Sequence, residues 1–425
     1  MAGGGDFRSP RTAPSAPRQH RGLATESGTG AQISPKFSTV LMSKPTVLFL
    51  VPTLNFGGTE KGAFLYARAL KAAEIWRPLV ISLGPSGPLQ PILDENGIEN
   101  QALNSRFRFE SGRAFFLKEG LKMLRKLRPI QADAWIGSSY HCNLAVGLLG
   151  PLAGAKQRIW WQKSADSTIP VGRIEKWARR GITHYAANGQ ASALHLHERI
   201  NSKSEFGIAK MLNVLDNTDL IDFEAQDRLK NSEFRILLLA NFYPEKLHSL
   251  LLEAVALLLV QAPECTIRVD VFGNEPGRQV HIMNRAKALA YDLGLAGRVF
   301  FHTTNAHKQN ALSRAHVGVL PTLSEGYSNA LMEYMAAGLP VLASDILANR
   351  DVLGSDYATA FFENTADSLA KALLEIINNE PLRKEMGRAN RNRILRFHRF
   401  DPASLWPFSN QAIQTFDLKE NSERT

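Results

Sequence analysis

The sequence predicts an α/β protein with two halves, each a parallel sheet covered by helices, and three observations carry that prediction. Strands alternate with amphipathic helices from Thr46 onward, and the alternation restarts at Arg235 to Ala240 with a further strand at Ile267 to Phe272. Further on, a strand, loop, helix and strand follow one another. Val317-Gly318-Val319-Leu320 stops at Pro321, Ser328 is a good N-cap, Ala330 to Ala337 are mostly strong helix formers, Gly338 and Pro340 close the helix, and Val341-Leu342-Ala343 resumes the sheet. The length of 425 residues exceeds what one core usually supports. The expected division is a disordered tail over 1–44, a first domain over 45–228, a second over 229–400, and a terminal helix over 401–425 packing back onto the first domain.

Composition narrows the class. Hydrophobic residues at 44% and charged residues at 21% are ordinary for a soluble globular enzyme. Cys142 and Cys265 stand in different halves with no zinc or redox spacing, which points to packing roles in a reducing compartment and hence to a cytoplasmic protein. The net charge of +10 favours anionic partners: nucleotide phosphates, acidic lipid headgroups or nucleic acid. No nucleic-acid motif accompanies that charge, so nucleic acid is not expected. No apolar run reaches the length of a bilayer span; the longest, Leu250 to Val260, is interrupted by Glu253 and reads as a buried helix.

Taken in order, residues 1–44 are rich in Gly, Ser, Pro, Thr and Arg, without aliphatic periodicity or an apolar leader core. Disorder is the expectation, and Met42, just before the first strand, is a second candidate start beside Met1. Thr46 to Val51 is a buried strand, then Gly57-Gly58-Thr59-Glu60 leads into an amphipathic helix from Lys61 to Leu70. Gly57 and Gly58 either form a turn needing positive φ or let backbone approach a ligand closely. Over 114–128, Leu117, Leu121, Met123 and Leu124 mark one helix face while Lys118, Lys122, Arg125 and Lys126 mark others. Such a basic helix lies on an anionic membrane surface or is a solvated face, and both readings stay open.

Ala132 to Gly137 is the next strand. After it His141 falls where a ligand-facing residue belongs, and a helix-capping histidine fits the same position. Ile159 to Lys163 forms another strand and its exit. In the second half, Ile236 to Ala240 is followed by Asn241, and by Lys246 at a helix start, where a cation is electrostatically disfavoured unless an anion visits. The loop and first helical turn after Pro321 sit at the carboxyl edge of a parallel sheet, where free NH groups attract phosphate. Two carboxylates stand there. Glu325 is in the loop, and Glu333 is on a helix whose neighbours Leu331, Met332, Tyr334 and Met335 imply cover on most sides. A covered glutamate needs a partner, and two vicinal sugar hydroxyls would serve.

The run Glu-Gly-aromatic-x-Asn-Ala-Leu-x-Glu-x-Met-Ala-Ala-Gly-x-Pro-Val, here Glu325 to Val341, resembles the signature of retaining glycosyltransferases of family four. The resemblance implies the GT-B fold: two facing Rossmann-like domains with the donor site in the cleft. It implies that Glu325 contacts the transferred sugar, that Glu333 holds the nucleotide ribose, and that Gly57 and Gly58 face the donor phosphates or the acceptor. His141 matches a His-x-Asn common at its place, and Val214 to Phe223 resembles the stretch that closes the first domain. Two positions depart from the pattern: Gln162 stands where many relatives carry a sugar-contacting histidine, and Asn241 stands where the first of two diphosphate-binding cations belongs, leaving Lys246 as the second.

The chemistry implied is transfer from a nucleotide-diphosphate sugar to a glycan or lipid-linked acceptor with retention, as in envelope polysaccharide, lipopolysaccharide or glycolipid synthesis. Catalysis then needs charge stabilised on the leaving diphosphate and the sugar held in place. Lys246, the NH groups near Gly326, Ser328, Asn329 and Ala330, and the glycines would cover the diphosphate, with Lys163 or Arg278 as substitute cations for Asn241. No cofactor is expected, and no metal either, since the cleft segments hold no Asp-x-Asp. Competing readings are an inactive or weakly active relative that only binds a nucleotide sugar or a partner enzyme, a nucleotide-sugar epimerase, and a dinucleotide-binding protein, though the last lacks spaced glycines.

Overall fold

The computed structural model describes residues 44–55, 57–105, 113–165, 171–200, 207–215, 233–274, 279–304, 306–354, 360–397, 414–416 and 418. The tail over 1–43, the residues from Asp216 to Phe223 read as closing the first domain, the residues Arg228, Lys230 and Asn231 read as linker, Arg278, and the terminal segment over 401–413 lie outside them.

The first half runs β1 (Thr46–Val51), α1 (Gly58–Ala72), β2 (Arg77–Ser82), α2 (Leu89–Glu95), β3 (Glu99–Ala102), α3 (Arg113–Leu127), β4 (Ala134–Gly137), α4 (Tyr140–Ala153), β5 (Gln157–Gln162), α5 (Arg173–Arg180), β6 (His184–Ala187), α6 (Gln190–Ile200) and β7 (Ile208–Lys210). Its strands form one parallel sheet in the order β3-β2-β1-β4-β5-β6-β7. Period-two alternation divides the core. Val47, Phe49 and Val51 pack with Phe64, Leu65 and Leu70 of α1 and Leu89 and Leu93 of α2, while Leu48 and Leu50 pack on the other face with Met123 of α3 and Val146 and Leu149 of α4.

The second half runs β8 (Phe234–Leu239), α7 (His248–Gln261), β9 (Ile267–Phe272), α8 (Val280–Asp292), β10 (Val299–His302), α9 (Lys308–Arg314), β11 (Val317–Leu320), α10 (Asn329–Ala336), β12 (Val341–Ser344), α11 (Leu347–Leu353), β13 (Phe361–Phe362), α12 (Ala366–Asn378) and α13 (Glu380–Phe397). These strands form a second parallel sheet, β10-β9-β8-β11-β12-β13. In both sheets the chain order reverses beside the first strand of the half, and the crevice at such a reversal is where open α/β sheets bind ligands. The fold is two Rossmann-like α/β domains, as the alternation predicts.

Three local expectations change. Thr415 makes an antiparallel bridge to Ala209, Lys210 N donates to Gln414 O and Phe416 N to Ile208 O. These residues are therefore extended against the edge strand β7 and not helical: an open strand edge offers backbone partners, and Phe416 joins the apolar cluster of Trp160 and Tyr185. On α3, Met123 and Leu127 are in the core, but Leu121 is 55% exposed among the basic residues. Gly57 has φ −126° and Gly58 begins α1, so neither needs positive φ. Close approach explains them: a Cβ on Gly58 would stand 2.5 Å from Asn329 Nδ2 of the other domain.

Candidate active site

The loop after β11 is positioned by buried bonds. Ser328 Oγ accepts from Leu331 N and caps α10, and Gly338, at φ +61°, ends it. Tyr334 is fully buried against Gly318 of β11; its hydroxyl accepts from Leu239 N at 2.6 Å and faces Leu237 O and Val319 O at 3.2 and 3.3 Å. Thr322 adds a hydroxyl contact to Glu245 O at 3.1 Å. The loop is thereby tied to β8 and to the turn that carries Lys246.

Between the domains lies a cavity of about 350 Å³. It is lined by Gly57, Gly58, Asn241, Lys246, Glu325, Gly326, Ser328, Asn329, Ala330 and Glu333, so ten positions chosen from sequence meet around one space. Two others do not reach it. Gln162 lines a neighbouring cavity of about 150 Å³, where its side chain accepts from Trp160 Nε1 at 2.9 Å and donates to Ser164 O at 2.6 Å. His141 lines neither cavity; it is exposed in the first turn of α4, its ring edge-on to Tyr140 at 5.6 Å. The strand alternation that sends Trp161 towards α1 turns Trp160 and Gln162 the other way, and this moves Gln162 off the central cavity.

Three ion pairs organise the charge. Lys246 Nζ lies 2.5 Å from Glu325 Oε1, both side chains mostly buried, which removes the solvated-surface reading of Lys246. Glu333 Oε2 is 2.9 Å from Lys308 Nζ, and its Oε1 is 3.6 Å from Lys61 Nζ. Its partners are thus a lysine from each domain. Four lysines (Lys61, Lys163, Lys246, Lys308) and two glutamates line the cavity, an excess of two positive charges when all are ionised. Asn241 contributes structure: its Oδ1 accepts from Asn274 N at 2.9 Å.

Sequence reasoning missed Lys61, Lys308 and Asn213. Asn213 donates to Tyr327 O at 3.3 Å and to Asn329 Oδ1 at 3.0 Å, fastening the binding loop to the first domain. Lys61 adjoins Gly-Gly-Thr-Glu and could have been included by position. Lys308 stands on a short helix without a motif and gave no signal. Glu60 of that motif is buried behind the loop, accepts from Thr53 Oγ1 at 3.1 Å, and has its pKa raised by burial. Among the described residues no group of three or more His, Cys, Asp or Glu side chains could hold a metal.

Residues 221–393 match the family model described as Glycosyl transferases group 1. Part of the chain is 33% identical over 161 residues to phosphatidyl-myo-inositol mannosyltransferase from Mycolicibacterium smegmatis, covering 37% of this chain and 39% of that protein. The chain spans well under half the length of the curated relatives it matches. A glycosyltransferase structure from Rickettsia africae superposes with a TM-score of 0.69 at 18% identity, covering 84% of this chain and 94% of that one. Anabaena Alr3699/HepE in complex with UDP and glucose gives 0.68 at 16% identity, covering 84% and 96%. At such identity the likeness shows the fold alone, and that fold is GT-B. The second half of the chain carries the match to the group 1 glycosyl transferases.

Proposed function

We propose that the protein is a glycosyltransferase moving a sugar from a nucleotide-diphosphate sugar to a glycan or lipid-linked acceptor with retention, in the synthesis of an envelope polysaccharide, lipopolysaccharide or glycolipid. The observation that carries this reading is one interdomain cavity bordered by the Lys246–Glu325 pair, the Ser328-capped start of α10, Glu333 and the close-packed Gly57-Gly58 turn. A helix N-terminus and an excess of lysines suit a diphosphate, and a mostly buried carboxylate suits ribose hydroxyls.

In this scheme the bond from the anomeric carbon to the diphosphate breaks first, and the charge left on phosphate is stabilised by Lys246, neighbouring lysines and the NH groups at α10. Glu325, drawn to Lys246, orients the sugar. The acceptor hydroxyl attacks from the face the diphosphate leaves, and its proton passes to a phosphate oxygen. No cofactor beyond the donor enters. The second domain, 229–400, would hold the donor and the first, 45–228, the acceptor.

An anionic membrane surface is the proposed setting, consistent with a cytoplasmic protein held peripherally. Lys118, Leu121, Lys122, Arg125 and Lys126 are exposed on α3, and α5 presents Trp177, 67% exposed, beside Arg173, Lys176 and Arg180. Both helices pack against α4. The mannosyltransferase relative is named for a phosphatidyl acceptor, which supports a lipid-linked one here. Among the described residues no helix is long and apolar enough to cross a membrane.

Thermal stabilisation by UDP, GDP and ADP and their sugars tests the reading, since a ligand that binds only the folded state raises the midpoint. A shift with one series, followed by sugar transfer from it, supports the enzyme. A shift without transfer favours the inactive relative, which Asn241 motivates, and no shift with any series removes the nucleotide-sugar reading. Sedimentation with acidic liposomes tests the membrane setting: binding that survives neutralisation of Lys118, Lys122, Arg125 and Lys126 rules out α3 as its cause.

A further inference from the structure

Lys163 leaves the end of β5 with its ammonium nitrogen 3.9 Å from the centroid of the Trp161 ring. The nitrogen is buried and makes no hydrogen bond to any described residue. Space for it exists because position 62 on α1 is glycine: a Cβ there would stand 2.4 Å from Lys163 Nζ. The side chain lines both cavities, bordering the central one alongside Gly57, Gly58 and Lys246. The other lysines of the central cavity are each paired with an acid, Lys246 with Glu325 and Lys61 and Lys308 with Glu333.

The neighbouring charges are few. Glu60 on α1 attracts Lys163 but is buried and bonded to Thr53. His195 and Arg199 line the smaller cavity, and Arg199 is paired with Glu175. Burial lowers the Lys163 pKa to about 7 against the pull of Glu60, so near neutral pH part of the population is uncharged. A buried cation without an oxygen partner is costly, and an arriving anion removes that cost.

We infer that Lys163 is a diphosphate-binding residue of the donor site, reaching across the cleft from the first domain to supply the cation that Asn241 does not. The inference rests on the nucleotide-sugar reading and adds a residue to it. Diphosphate contact holds the lysine in its charged form, so binding near pH 7 takes up a fraction of a proton from solution.

The test is titration calorimetry on the full chain with UDP, GDP and ADP and the matching nucleosides, at pH 7 in buffers of differing ionisation enthalpy. For the nucleotide that binds, Lys163→Gln is expected to weaken affinity about 10- to 100-fold, as for a lost charge-assisted hydrogen bond, and to abolish proton uptake. Affinity for the nucleoside should stay within about twofold, which also reports an intact fold. Gly62→Ala should weaken the same nucleotide by crowding the ammonium, and Lys163→Arg should restore part of the affinity without the proton uptake. Unchanged affinity and uptake in Lys163→Gln overturn the inference alone. Equal loss of nucleoside and nucleotide overturns it too, because that marks a structural role. Failure of the wild type to bind any of the three overturns the nucleotide reading with it.

Discussion

Glu333→Gln should move two ligands in opposite directions. The carboxylate lies between Lys308 at 2.9 Å and Lys61 at 3.6 Å, and all three line the 350 Å³ cavity. A roughly spherical space of that volume is about 9 Å across, so a phosphate anywhere in it lies within about 9 Å of Glu333. Removing one negative charge at that distance helps an anion by about 0.5 kcal/mol at the dielectric of water and about 2 kcal/mol at an effective dielectric of 20. Inorganic pyrophosphate should therefore bind about 2- to 30-fold more tightly. A nucleoside diphosphate gains the same field but loses charge-assisted bonds from its ribose hydroxyls, each worth about 1.5–3 kcal/mol, with the amide oxygen replacing part of one. The balance is a net weakening of about 5- to 50-fold. Competition of each ligand with a fluorescent nucleotide, read at fixed ionic strength, gives both numbers. If pyrophosphate weakens along with the nucleotide, Glu333 is a structural strut; if nucleotide affinity holds, the ribose is bound elsewhere.

Glu325→Gln should lower transfer by about a hundredfold or more while nucleotide affinity changes little, because Lys246 stays in the cavity; single-turnover transfer beside binding separates the two. Tyr334→Phe leaves the Leu239 N–H without its acceptor in a dry core, and urea melts should show a loss of about 1–3 kcal/mol. Burial raises the Asp351 carboxyl to about 6, even though it accepts from Gln190 N and Ala191 N and faces Arg393 and Lys210. The native state therefore holds this proton more tightly than the unfolded chain. Its contribution is full below about pH 4 and is lost as pH rises through about 6, so Asp351→Asn should flatten the melting midpoint across that window. A profile identical to wild type would clear Asp351 of the effect.

What the sequence made legible was local and periodic. Thr46–Val51 and Ile267–Phe272 are strands with the predicted ends, and the capped helix between Ser328 and Gly338 is as read, because burial on both faces and strong terminal signals agree there. The cavity-lining glycines, Lys246 and the two glutamates were found because they lie in the loops and first helical turns that follow β1, β8 and β11, on the side where parallel sheets bind ligands. Gln162 was misjudged by one position, since the residue after it, Lys163, is the one that turns inward. His141 followed the strand end correctly but takes the outward side of its helix. Asn213 was invisible because its standing comes from the other domain's approach, and Lys308 because it meets Glu333 of α10 only through the fold of the second domain; neither pairing leaves a spacing in the chain.

Asn213 reaches from one domain to Tyr327 O and Asn329 Oδ1 of the other, and Lys61 reaches to Glu333 in the same way. Groups that line the interdomain cavity thus also clasp the two domains to each other. If the proposed donor binds only once these bonds have parted, observed affinity is the intrinsic affinity scaled by the fraction of molecules in which they are parted. Loosening a clasp, as in Asn213→Ala, can then speed nucleotide entry and release without touching any atom of the sugar.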